Sequence, residues 1–174
     1  MNPAMPAALR AIVLLAVGAL LAACGFQLRG SYSFPFDSLY LAVADYSVIG
    51  AQLRRSIKAS NPTLLVETAS EAQVLFVPGA EYRDRVILTV SGTGRVSELR
   101  LRYLFPYRLT DNRGRDVVPP ASVELVRDLT YDDSQVLAKQ QEETLLWRDM
   151  ELDLVQQLLR RLAAAKPVFV DAGT

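Results

Sequence analysis

The chain has 174 residues, 51% of them hydrophobic, and its 19 Lys and Arg balance 19 Asp and Glu. That suits one domain with a real core and is too short for two. There is no histidine and only one cysteine, Cys24, which excludes imidazole-based catalysis, Cys-rich metal sites and an internal disulfide, and leaves no cofactor to expect.

In chain order, Arg10 is the only charged residue before an apolar run from Ala11 to Ala23, which closes as Leu21-Ala22-Ala23-Cys24. The run falls short of the roughly 20 residues a helix needs to cross a bilayer, so residues 1–23 read as a signal peptide. The small residues before the cysteine resemble a bacterial lipobox, which implies a diacylglyceryl thioether on Cys24. Several acyl chains on one residue exceed the two signals that stable anchoring takes, so a folded body held on a membrane through Cys24 is expected. Gly25 stands where enteric lipoproteins retained at the inner membrane carry Asp. That resemblance implies the outer membrane, facing the periplasm.

Residues 24–38 form a tether too apolar to be a free linker, and its Tyr32, Phe34 and Phe36 are candidates to await a partner. Leu39 to Val43 predicts a strand. Ser47 predicts the N-cap of a helix reaching about Ala59, with Val48, Leu53 and Ile57 inward and Arg54, Arg55 and Lys58 outward. Asn61-Pro62 stops it, and Thr63 to Glu67 predicts a short strand. Gln73 to Val90 contains two strand-like runs broken at Pro78-Gly79, equally readable as one kinked strand.

After a tight connection at Ser91-Gly92-Thr93-Gly94, Leu99, Leu101, Tyr103, Phe105, Tyr107 and Leu109 alternate with Arg100, Arg102, Leu104, Pro106 and Arg108, the clearest strand in the chain. Asp111-Asn112-Arg113-Gly114 turns it into a returning strand from Val117 to Tyr131. From Ser134 to Ala165 no Gly or Pro occurs, and Leu146, Met150, Leu154, Leu158 and Leu162 recur every four residues, widened by Trp147, Val155 and Leu159. This predicts a long amphipathic helix ended by Pro167. The expected fold is α+β, a two-layer sandwich with two helices on one face of a small mixed or antiparallel sheet, in a domain of residues 39–166 with a tail at 167–174.

Charge is uneven. Arg83 to Arg115 holds eight arginines against three acids, and Asp116 to Asp153 holds ten acids against three bases. If the hairpin gathers Arg95, Arg100, Arg102, Arg108, Arg113 and Arg115 on one face, a positive surface suited to phosphate results. The other reading is a solvated face whose arginines pair with the acidic helix. An envelope compartment and overall neutrality disfavour nucleic acid. The acids at Asp132-Asp133, Glu142-Glu143, Asp149, Glu151 and Asp153 fall mostly at the entry or polar side of the helix, where solvated carboxylates are expected without glycosidase chemistry. Gly92-Thr93-Gly94-Arg95 lacks the spacing of a phosphate-binding loop.

Two segments carry a family resemblance: Cys24 to Gly30, CGFQLRG, and Ser134 to Leu162, SQVLAKQQEETLLWRDMELDLVQQLLRRL. Both resemble the lipopolysaccharide (LPS)-assembly lipoprotein family LptE. The resemblance implies a non-enzymatic lipoprotein that sits as a plug in the outer-membrane β-barrel LptD and contacts LPS. It also implies two contact residues: Lys139, after Ala138, and an Arg at the hairpin turn after the long strand, read here as Gly92-Thr93-Gly94-Arg95, for which Arg95 is the candidate although displaced by about three positions. Arg100 and Arg102 are added from the charge pattern. An accessory lipoprotein of another envelope complex, for barrel assembly or lipid transport, is the alternative.

Overall fold

In a computed structural model, which describes residues 32–44 and 46–169, the elements follow the order strand, helix, four strands, helix. They are β1 (Leu39–Leu41), α1 (Val48–Ser60), β2 (Val74–Pro78), β3 (Tyr82–Val90), β4 (Val96–Thr110), β5 (Ala121–Thr130) and α2 (Val136–Ala163). The signal segment and Cys24 lie outside the described residues.

Alternation makes β4 the centre. Its odd residues from Leu99 to Leu109 are all buried, while the even ones are exposed or half-buried. β5 pairs antiparallel with one edge of β4. The other edge takes both β2, opposite Tyr107–Thr110, and β3, opposite Val96–Leu104. The two runs are thus separate strands that continue one another along β4, parted where Gly79 donates its amide to the Pro106 carbonyl at 2.8 Å. β1 adds in parallel to β2, giving a mixed five-stranded sheet.

Both β-hairpin turns use one device. In Ser91–Arg95 and Asp111–Arg115 the first amide donates to the last carbonyl, at 2.7 and 2.8 Å. The fourth residue, Gly94 or Gly114, has φ near +80°, where a side chain would be strained.

The two helices and the odd face of β4 meet in one core that contains Leu53, Ile57, Phe76, Leu101, Tyr103, Met150, Leu154, Leu158 and Leu162. Each fully buried aliphatic side chain there is worth roughly 1.5–3 kcal/mol. Ser47 caps α1 as expected, its hydroxyl accepting from the Gly50 amide at 3.1 Å.

Several expectations change. Thr63–Glu67 is not a strand; Leu65 makes one bridge to Leu39, and Leu64 plugs the core. The first strand stops at Leu41, and the returning strand starts at Ala121, because Pro119-Pro120 cannot donate to the ladder. Val48 points out, with Ile49 taking the inward place. The long helix starts at Val136, after a 3₁₀ turn at Asp133–Gln135, and its regular turns end at Ala163. Tyr32, Phe34 and Phe36 do not await a partner. Phe36 is buried in the core, Phe34 and Tyr32 pack against it, and the Tyr32 hydroxyl donates to Gln156 at 3.3 Å.

Candidate functional site

The arginines on the open face of the sheet do not form a positive surface. Strand register and the second hairpin turn place an acid beside four of the six arginines expected there. Arg100 grips Asp128 with two bonds at 2.7 and 2.9 Å, Arg102 reaches Asp84 at 3.2 Å, Arg108 reaches Asp116 at 2.8 Å, and Arg115 reaches Asp111 at 2.7 Å. The Asp128 carboxyl is held below the ordinary carboxylate range by its bonds to Arg100, although partial burial opposes the shift.

On the helix side, the acidic helix supplies the partners. Arg83 bonds Glu151 at 2.8 Å, Arg85 meets Glu143 at 3.4 Å, and Arg127 meets Asp153 at 3.1 Å. Arg83 also lies over the Tyr103 ring at 4.5 Å and the Trp147 ring at 5.8 Å, so it staples β3 to β4 and α2 at once. Burial, then the hydrogen bond to Glu81, pushes the Tyr103 hydroxyl far above its ordinary value, so it stays a neutral donor.

The remaining two residues come together. The turn carrying Arg95 and the β5–α2 junction share one end of the molecule, joined by the Tyr131 amide donating to the Ser97 carbonyl at 2.9 Å. Asp132 sits at this junction and accepts from the Ser134 amide and hydroxyl, at 2.9 and 2.8 Å. Those bonds lower its pKa, and Lys139 and Arg95 add to the shift through their charge. Lys139 and Arg95, 44 positions apart in sequence, therefore lie within electrostatic reach of one carboxylate. Lys139 is held in place, its ammonium donating to Glu142 at 2.8 Å and Thr130 at 3.2 Å, with only 16% of its side chain exposed.

An open cleft of about 480 Å³ shares this end, lined by Arg85, Ile87, Val96, Leu99, Tyr131 and Asp133. It lies within the ~300–1,000 Å³ range of ligand sites. Sequence reasoning missed it, since it forms only where hairpin and helix start converge. A second opening of about 500 Å³ at the β2–β3 break involves none of the four cations predicted as contacts. Among the described residues no group of three His, Cys, Asp or Glu side chains is placed to hold a metal ion.

The LptE lipopolysaccharide-assembly family model matches residues 36–162. Curated proteins give no sequence match. Among solved structures, the solution structure of an uncharacterized lipoprotein B from Nitrosomonas europaea is similar at 33% identity and TM-score 0.68, covering 80% of this chain and 91% of that one. A minor lipoprotein from Acinetobacter baumannii shares the fold at 23% identity and TM-score 0.62, over 78% of this chain and 100% of that one. The rare lipoprotein B of Shewanella oneidensis does so at 24% identity and TM-score 0.60, over 73% and 92%.

Proposed function

The chain belongs to the LptE lipopolysaccharide-assembly family, and from that premise we propose that it is a lipid-anchored plug and LPS-contacting subunit of an LptD-like β-barrel. In this reading Cys24 carries the acyl anchor, the body faces the periplasm at the outer membrane, and the protein performs no chemistry.

One observation supports the contact site: Arg95, on the β3–β4 turn, and Lys139, in the first turns of α2, share the end of the molecule where the Tyr131 amide bonds the Ser97 carbonyl. LPS brings phosphates and acyl chains together. A phosphate fits beside a lysine already held by the Glu142 carboxylate, with Arg95 adding charge at the same end, because it can take an acid partner's place without reorganising the lysine. The apolar wall of the adjoining cleft, Ile87, Val96 and Leu99, is suited to the first carbons of an acyl chain. Arg100 and Arg102 extend the contact along the open face, where LPS phosphate must displace Asp128 and Asp84. A plug also needs a polar exterior, since barrel lumens are polar, and the ion-paired face of β3–β4–β5 supplies one.

The test is LPS binding by the mature protein and by Lys139→Glu with Arg95→Glu. Loss of one close ion contact corresponds to about 1.4 kcal/mol, so affinity should fall at least ~10-fold while the domain stays folded. Equal affinity in the variant removes the site assignment, and no binding by the unaltered protein removes the LPS reading itself. Co-purification from detergent extracts identifies the partner: a large β-barrel supports the proposal, and an inner-membrane transporter or a barrel-assembly complex defeats it.

A further inference from the structure

The sheet has three outer edges, and they are finished differently. β1 exposes only three residues, and the following segment covers them: the Leu39 amide donates to Leu64 at 2.8 Å, and the Val66 amide donates to Leu39 at 3.1 Å. On β5, guanidinium groups bond the main chain, Arg161 to the Ser122 carbonyl at 2.6 Å and Arg127 to the Val126 carbonyl at 2.9 Å. Such side chains block a strand from adding there.

β3 has no guanidinium bonded to its outer main chain, and its register with β4 shifts only past Ile87, between Ile87 and Thr89 and again before Val90. Gly79 donates to Pro106, so the even residues of β4 turn their main chain toward this side. Their partners Tyr82, Asp84 and Val86, opposite Leu104, Arg102 and Arg100, turn theirs inward. Arg83, Arg85 and Ile87 consequently present amide and carbonyl outward, and no side chain among the described residues bonds them. The strand then runs on as Val86-Ile87-Leu88-Thr89-Val90, without charge or proline, and its Val86, Ile87, Leu88 and Val90 are exposed. An uncharged, β-branched, exposed edge is an association site unless something pairs with it.

We infer that the outer edge of β3 receives an extended segment of the β-barrel partner as a sixth strand, held by main-chain hydrogen bonds to Arg83, Arg85 and Ile87. This rests on the partner reading above. The barrel wall itself cannot be that segment, since a closed barrel has no free edge, so the strand comes from a loop or arm of the partner. It is uncharged along its centre, because Arg83 and Arg85 are already neutralised by Glu151 and Glu143 and Val86–Val90 carries no charge. A second copy of this chain is a poorer occupant. One short strand-to-strand contact buries only part of the ~1,200 Å² that a stable free-standing interface requires, whereas a partner already enclosing the body needs no more.

The experiment uses full-length lipoprotein purified alone and with its barrel partner. Amide exchange over Tyr82–Val90 should slow by at least about tenfold in the complex. Ile87→Pro removes an outward amide that makes no ladder bond, so it should leave thermal unfolding near that of the unaltered protein and cut the barrel recovered by about tenfold. Ile87→Thr, which keeps the amide, should recover it normally; Ile87→Lys, an edge guard, serves if the proline variant does not fold. A complex that forms with unprotected β3 amides, or with full recovery by both the proline and lysine variants, overturns the inference while leaving the partner reading intact. Protection that rises with concentration in the isolated protein, at doubled mass, overturns it in favour of self-association. Failure of the unaltered protein to bring down any barrel defeats the partner reading, and the inference falls with it.

Discussion

The two halves of α2 share one helix and are held in different ways. From Met150 onward Leu154, Val155, Leu158, Leu159 and Leu162 are buried, whereas from Val136 to Leu145 no residue is, with Leu137 77% and Leu145 61% exposed. The sheet divides likewise. β2 and the upper part of β4 insert Phe76, Phe105 and Tyr107 into the core, while β3 buries nothing. One end is therefore fixed by apolar burial, and the other by ion pairs and the Arg83 stack. The difference teaches where adaptation is cheap: groups held by exchangeable charge can accept a ligand without unfolding the body.

The largest test of that division is a pair of leucines. Leu158→Ala opens a cavity in the closed core and should cost about 2–5 kcal/mol in chemical denaturation, while Leu145→Ala should stay within about 0.5 kcal/mol. Comparable losses in both would erase the distinction between the halves.

Arg83 joins the two regimes, so it should give the next largest effect. Arg83→Ala removes the Glu151 bond and the ring stack together, and should destabilise by about 1–2 kcal/mol. Arg83→Lys keeps the charge but not the planar stack, so its melting temperature should fall between the two. A lysine variant as weak as alanine assigns the staple to geometry; one equal to arginine assigns it to charge alone.

The packed end was the legible one. Strict alternation from Leu99 to Leu109, the four-residue leucine stripe and the Ser47 cap each follow from local periodicity or local bonding, and the structure has all three. The errors at that end, the strand expected over Thr63–Glu67 and the outward Val48, are cases where tertiary packing overrode a short apolar pattern. The polar end was legible only as composition. Which acid faces Arg100 or Arg102 depends on turn length and register, so composition alone left both a positive patch and an ion-paired face open, and the structure has the second. The placement of Arg95 and Lys139 at one end likewise needs the β3–β4 turn to lie against the β5–α2 junction, which no local signal encodes.

The smallest effect separates the ends by pH. The Asp128 and Asp132 carboxyls are both depressed, by Arg100 in one case and by the Ser134 amide and hydroxyl in the other. A depressed carboxyl contributes stability that is complete above its unfolded value, about 3.9, and is lost as pH falls through the lower folded value. Acidification from pH 5 to about 3 should therefore speed amide exchange around Asp128–Lys139 before it touches Leu154–Leu162. Added salt should weaken the Asp128 contribution more than that of Asp132, because Asp128 depends on an exposed ion pair and Asp132 on neutral donors. Asp132→Asn should remove the acid-dependent step near Arg95 and Lys139 while leaving the leucine core at its original protection. Simultaneous loss of protection at both ends would mean that the ion-paired end has no independent opening, and that the site cannot exchange its acids for phosphate without loosening the core.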